Sequence, residues 1–462
     1  MPPFAILLAA LLGLALAAAR PGGATSPQPA APGAPAFPDE PDIRLPPIPS
    51  LREQAAIRDA WLAHRLHTLA PALMRRHGVD MWILVAREYL EDPVLATMLD
   101  ARSFAARRRT ILVFHDPGGG RPVERLTVSR YGLAGLFAPA WTPESQPDQW
   151  ARLAQIVAER DPKRIAINVS ADSAFADGLT RSQHDELVAA LPAPWRERLV
   201  PAGDLAIDWL QTRTPVEIDR YAQIMRVAHA ILAEALSARV ITPGRTTAAD
   251  VQWWLRERVA GLGLAVWFHP SIAIFRAGAA AELTGDTVIQ PGDMIWSDFG
   301  IMHLGLATDT QQLAYVLKPG ETDAPAGLRA GLAAANAAQD ALTASFATGR
   351  SGNDVLALAR ARAAAQGLDA TIYSHPIGHH GHGAGPAIGF WDDQTPGPRG
   401  AGPILPMTAW SIELANARAV PEWGGQRLSF RLEENGWFDG TRLQWINGRQ
   451  RRFHLIFAQR AP

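Results

Sequence analysis

A chain of 462 residues is too long for one ordinary hydrophobic core, so two or three domains are expected. Apolar residues make up 48 % and charged residues 19 %, a globular composition, and a formal net charge of −1 leaves no basic excess with which to hold a nucleic acid. There is no cysteine, which excludes disulfides and thiolate metal sites alike.

Phe4 to Ala19 is an uncharged apolar run of sixteen residues followed by Arg20, short for a membrane span, with small residues at Ala17 and Ala19. It reads as an export signal over residues 1–22, with an uncleaved anchor as the alternative. Either places the body of the protein in the periplasm or outside the cell, touching the membrane only through this segment. From Pro21 to Ser50 ten of thirty residues are proline, so residues 23–50 are expected to form an extended linker.

Leu51, Ile57, Trp61, Leu66, Leu69 and Leu73 recur at steps that predict a helix over 51–79. MWILVA (Met81 to Ala86), RTILVFHD (Arg109 to Asp116), ERLTVSRY (Glu124 to Tyr131) and RIAINV (Arg164 to Val169) read as strands, with helices near 148–160 and 182–191. This alternation predicts an α/β domain over 51–204 that carries no cluster of acid, histidine or nucleophile. A second domain is expected over 205–462. Its first long helix opens at Thr214-Pro215-Val216-Glu217, a cap and first turn, and another begins near Thr246 to Asp250.

The chemistry is concentrated from Trp296 onward. WSDFGIMHLGLATDTQ holds Asp298 and Asp309 at the ends of two strand-like runs, with Gly300 and Gly305 between them where the chain can fold back. An antiparallel pair of this kind sets two carboxylates on one face, and a shared divalent cation relieves their repulsion. Downstream, SHPIGHHGHGAGP carries His375, His379, His380 and His382, the last flanked by glycines. Glu413 (SIEL) and Glu433 (RLEE) each place one acid in a strand-like run. Four carboxylates and an imidazole suit two divalent ions bridged by carboxylates and a water.

The eleven-residue Asp–Asp spacing, the GHGAG histidine, the SIE glutamate and the RLEE glutamate, in this order, resemble the pita-bread metallopeptidases of the creatinase and aminopeptidase group. The resemblance covers roughly residues 205–450. TRTPVEIDRYAQ also resembles the opening of the catalytic domain in prolidase-like proteins. It implies an α+β protein: a pita-bread catalytic domain behind an α/β creatinase-type N-terminal domain that shapes the mouth of the site and forms a homodimer interface. It implies Asp298, Asp309, His382, Glu413 and Glu433 as metal ligands, with Asp309 and Glu433 bridging and Glu413 taking a proton from the bound water. Sequence does not select among manganese, cobalt, zinc and iron, although manganese is the expected ion. His379 is the alternative ligand, by likeness to the prolidase-type HGLSH pattern. His375 and His380 are expected to act as proton shuttles or oxyanion donors.

Two family features are missing on these assignments. The substrate-binding histidine seventeen residues before the first aspartate falls on Ala281, and the histidine seven residues after the ligand falls on Gly389. His269 and His303 are the substitutes considered. The implied activity is removal of N-terminal residues from short peptides, as in an Xaa-Pro aminopeptidase or dipeptidase. The alternatives are a metal-dependent C–N hydrolase or lyase acting on a small non-peptide compound, and a non-catalytic binding protein that retains the fold.

Overall fold

Residues 38–457 are described by the computed structural model, so the expected export signal lies outside them. Among the described residues no helix is long and apolar enough to cross a membrane. Helix α1 (Leu51–Arg76) starts at Ser50, whose side chain accepts from the Glu53 N–H while Glu53 accepts from the Ser50 N–H, so two orphan donors are satisfied reciprocally. Strands β1 (Met81–Arg87), β2 (Arg109–His115), β3 (Glu124–Thr127), β4 (Ala138–Pro139), β5 (Ile165–Ile167) and β6 (Leu199–Pro201) form a mixed sheet ordered β4-β3-β2-β1-β5-β6. The short helix α2 (Pro93–Ala96), then α3 (Gln149–Arg160), α4 (Arg181–Ala190) and the single turn α5 (Ala193–Arg196) connect them. β1 is buried along six of its seven residues, as a strand covered on both faces must be.

Helix α6 (Asp204–Gln211) follows at once. Its Leu205, Ala206, Trp209 and Leu210 join a core made with Leu62, Leu66, Trp82 and Phe114, so by its packing it lies on the N-terminal side of the expected division at 204/205. Helix α7 (Pro215–Ala235) opens with the cap read from the sequence, Thr214 and Glu217 exchanging hydrogen bonds. Glu217 is also paired with Arg65 of α1 at 3.0 Å and Arg213 at 3.4 Å, all three buried. This triad clasps the N-terminal half to the start of the second.

The second half holds α8 (Ala248–Gly261), β7 (Ser271–Phe275), β8 (Met294–Phe299), β9 (Met302–His303), β10 (Leu306–Ala307), β11 (Thr310–Val316), α9 (Ala326–Thr343) and α10 (Gly352–Ala365). It continues with β12 (Ala370–Ile372), β13 (His375–Ile377), β14 (Thr408–Val420), β15 (Gln426–Phe438), β16 (Leu443–Trp445) and β17 (His454–Ile456). Nine of these strands make one sheet ordered β12-β14-β15-β11-β8-β7, with β13 on β14, β16 on β15 and β17 on β11. Helices α7 and α8 pack on Ile272, Ile274, Ile295 and Ala314, and α9 and α10 on Trp410, Ile412 and Leu414. Along their strands these residues alternate with Ser271, Asp298, Gln311, Ser411 and Glu413, so both helix pairs take one face and leave the other for chemistry.

The chain folds back between Asp298 and Asp309 as expected, and β8 pairs antiparallel with β11. A small hairpin, β9 and β10, projects between β8 and β11, turning at Leu304 and Gly305, both at positive φ (55° and 80°), which a two-residue turn matching strand twist requires. The linker, by contrast, is not free along its whole expected length. The Asp42 carbonyl accepts from Asn447 Nδ2 at 3.2 Å, its carboxylate pairs with Arg226 at 3.1 Å, and the Asp39 carbonyl accepts from the Arg449 N–H. Proline-rich composition argued against a packed core, yet among the described residues of this stretch Ile48 packs against the core beneath α7 and α8.

Candidate metal centre

Strand register builds the site. Asp298 lies opposite Gln311, Gln311 opposite Glu433, and Glu433 opposite Glu413, so one row of side chains crosses four strands on the helix-free face. Asp309 comes two residues before Gln311 and therefore points to the same face one step along. In that neighbouring row Ser411 lies opposite both Asn435 and His375. Ser411 Oγ donates to Glu433 Oε1 at 2.5 Å, and the Asp309 N–H donates to Asn435 Oδ1 at 3.1 Å. Glu434 points the other way, and is bonded to His229 at 2.7 Å and Gln312 at 2.7 Å. The alternation thus separates the two glutamates of RLEE: Glu433 on the site face, Glu434 beneath it.

The histidine that reaches the carboxylates is His375. Its Nε2 lies 3.7 Å from Asp309, 3.6 Å from Glu433 and 4.0 Å from Glu413. Asp309, His375 and Glu433 can each offer a ligand atom with all three atoms within 4.8 Å of one another. The expected ligand, His382, instead sets its ring edge-on to His375 at 4.8 Å, and to Trp267 at 5.3 Å. The physical reason is strand pairing. β13 binds His375 opposite Ser411 in the sheet, whereas His382 lies in the loop beyond it. Counted from His375, the seventh residue is His382, so the missing histidine expected at that spacing is present after all.

The roles expected of His375 and His380 change accordingly. His375 stands with Asp309 and Glu433 in a group that could hold a metal ion. His380 packs on Phe175 of the N-terminal half at 4.7 Å, and burial, with Arg213 nearby, pushes its pKa down. His379, the alternative ligand, turns to the Gly305 carbonyl, and burial and Arg213 hold it far below the usual imidazole value. His303 is buried in the β9–β10 hairpin, and His269 lies exposed against Trp253. Neither lines the site.

The electrostatics ask for a cation. Burial, then the neighbouring Glu433, raises the Asp298, Asp309 and Glu413 carboxyls well above the usual carboxylate range. Asp298 Oδ1, Asp309 Oδ1 and His375 Nε2 are buried without a hydrogen-bond partner. His375 Nδ1 faces the Pro376 carbonyl at 2.9 Å, which only an N–H can satisfy, so Nε2 is the ring nitrogen left facing three carboxylates. Acceptors facing acceptors in a buried pocket are unfavourable unless a positive ion lies among them, and oxygen donors with one imidazole fit a hard or borderline divalent ion.

The cluster opens into a cavity of about 1340 Å³. Asp298, His375, His382, Glu413, Trp296, Gln311 and Tyr373 form its floor, with Phe175, α6 and the loop bearing Phe390, Trp391 and Arg399 around them. Sequence reasoning missed Trp296, Gln311 and Tyr373. Alternation from Asp298, Asp309 and His375 would have put all three on the site face.

A sheet with helices on one face and an acid–imidazole cluster on the other is a pita-bread arrangement with a group that could hold a metal ion. Residues 221–435 match the family model of Metallopeptidase family M24, which places this part of the chain in that family and makes the protein a peptidase. No curated protein matches the chain. Its fold is similar to that of an X-Pro aminopeptidase from Thermotoga maritima MSB8 (TM-score 0.60, 16 % identity, covering 84 % of this chain and 99 % of that one). It is also similar to the dipeptidase PepE from Mycobacterium ulcerans (0.55, 19 %, 86 % and 99 %) and an Xaa-Pro dipeptidase from Bacillus anthracis (0.54, 16 %, 88 % and 100 %).

Proposed function

We propose that the protein is an exported, divalent-metal-dependent peptidase of the Xaa-Pro aminopeptidase or dipeptidase type, removing N-terminal residues from short peptides. The observation that carries this reading is His375 Nε2 set among Asp309, Glu413 and Glu433 at 3.6–4.0 Å on the floor of a large cavity. Asp309, His375, Glu413 and Glu433, with Asp298, are the residues to hold divalent ions, manganese first among the candidates. Bound there, such ions polarise a scissile carbonyl and acidify a shared water.

The remaining work falls to the chain. Glu413, its backbone N–H donating to Ser374 Oγ at 2.9 Å, is placed to accept the water's proton. His382 and Tyr373 line the same floor and can donate to the oxygen that gains charge. Phe175 and Trp391 offer apolar wall to a peptide. A second reading, a small non-peptide C–N substrate, draws on Ala281, which stands where a substrate-binding histidine was expected. Export rests on the apolar run Phe4 to Ala19.

The test is elemental analysis of the purified protein, paired with hydrolysis of an Xaa-Pro dipeptide and tripeptide after manganese addition. Bound metal with Xaa-Pro cleavage is the expected result. Bound metal without cleavage moves the substrate to non-peptide C–N compounds, and no bound metal overturns the proposal.

A further inference from the structure

His382 is open to the cavity, and among the described residues no hydrogen bond holds its ring. Two ring contacts do: His375 at 4.8 Å and 88°, and Trp267 at 5.3 Å and 76°. The imidazole stands nearly perpendicular to both neighbours, so turning it disturbs both contacts at once. Trp267 comes from the segment between α8 and β7, and its surroundings are shaped to an indole. Its Nε1 donates to the Thr308 carbonyl at 2.8 Å. A Cβ at Gly381 would run into the six-membered ring, and a Cβ at Gly300 into Nε1, so both positions must lack a side chain for the indole to lie where it does. Thr308 precedes Asp309, Gly300 follows Asp298 by two residues, and Gly381 precedes His382. One side chain is therefore wedged among the three chain segments that carry Asp298, Asp309 and His382. This accounts for the glycine ahead of the histidine in GHGAG, which the metal-holding group leaves unexplained.

We infer that Trp267 is a positioning residue: its indole, seated between Gly300 and Gly381, sets the angle at which His382 enters the cavity. It thereby holds the imidazole for the oxygen that gains charge in the reaction. The inference rests on the reading of His382 above as a donor to that oxygen. His375 is part of the metal-holding group, whereas Trp267 is fixed by the frame around it, so the indole is the contact that ties the His382 ring to the fold. A donor turned away from the reacting oxygen slows the chemical step without weakening substrate binding. The loss is bounded, because it cannot exceed that of removing His382 itself, about 100-fold. One edge-on aromatic pair accounts for about 10-fold of it.

The test has two arms on the full chain. In the first, nuclear magnetic resonance of metal-free protein with isotope-labelled histidine identifies the His382 ring signals by their loss in His382→Ala. Ring currents from two aromatic neighbours should displace these signals from those of a solvated histidine. Trp267→Leu should move them back toward the solvated position, and Gly381→Ala, whose Cβ displaces the indole, should move them too. In the second arm, kcat and KM of Mn²⁺-loaded protein are measured on an Xaa-Pro tripeptide. Trp267→Leu should lower kcat about 10-fold with KM and metal content unchanged. The same substitution should change nothing further in His382→Ala, whereas a merely structural tryptophan would lower kcat in both backgrounds. Circular dichroism establishes folding, and Gly381→Ala takes the place of a Trp267→Leu protein that fails it. His382 signals unmoved in a folded variant, or an equal fall of kcat in the His382→Ala background, overturns the inference. A His382→Ala protein with the wild-type kcat overturns the donor reading of His382 and the inference with it, even where the signals move, so the two failures are distinguishable. A wild type that leaves the tripeptide intact overturns the Xaa-Pro reading, and the ring signals alone then decide the inference.

Discussion

His375 commits its Nδ1 hydrogen to the Pro376 carbonyl, which leaves Nε2 facing three carboxylates. His382 touches the carboxylates only through the His375 ring. The two residues should therefore separate by metal content. His375→Ala is expected to lose bound metal and lower kcat/KM by about 1000-fold or more, the scale at which a catalytic ion is removed. His382→Ala should keep its ion and lose about 100-fold, the usual contribution of a proton donor. Elemental analysis beside kinetics checks both, and a metal-free His382→Ala protein would return the ligand role to His382. The four acids were legible because each stands in a strand-like run, although in RLEE only the alternation of the strand separates Glu433 from Glu434. The histidine was not, because four histidines in eight residues share one local composition, and β13, only three residues long and containing Pro376, leaves no periodic trace. What selects His375 is its pairing with Ser411 across the sheet, a contact between distant parts of the chain.

At the scale of elements, the buried triad of Glu217, Arg65 and Arg213 is the feature most exposed to mutation. Burial alone would raise the Glu217 carboxyl, but the two guanidiniums and the Thr214 hydrogen bonds hold it below its ordinary value. Removing it leaves two buried positive charges uncompensated. Glu217→Ala is expected to destabilise the protein by about 3–5 kcal/mol, read as a lower urea midpoint, and Glu217→Gln by less because its one amide oxygen can still accept from Thr214. A midpoint unchanged in Glu217→Ala would mean that the clasp contributes nothing. The cap of α7 was readable from Thr-Pro-Val-Glu. The ion pair was not, since Arg65 comes from α1 and nothing in its local pattern marks it as buried.

For the molecule as a whole, two histidines away from the ligands set a dependence on acid. Burial, with Arg220 nearby, pushes His303 down to about 4. Burial, with His229 nearby, does the same to His454, whose Nε2 meets Gln312 at 2.7 Å. Below about 6.5 the unfolded chain takes up protons that these folded imidazoles refuse. Their contribution to stability is thus complete above that pH and is lost as pH falls toward 4. Denaturation at pH 7.5, 6 and 5 should show falling midpoints, and His454→Gln should make the decline shallower. An identical slope in that variant would remove His454 from the account.

The ligand row draws on β8, the residue before β11, β13, β14 and β15, pieces that lie far apart along the chain and meet only when the sheet is closed. No partial fold holds an ion as the finished one does. Ion uptake then works as a seal on a completed chain, and unfolding must release what folding captured. The melting temperature should climb with the logarithm of free ion concentration once that exceeds the dissociation constant, and a chelator should reset it.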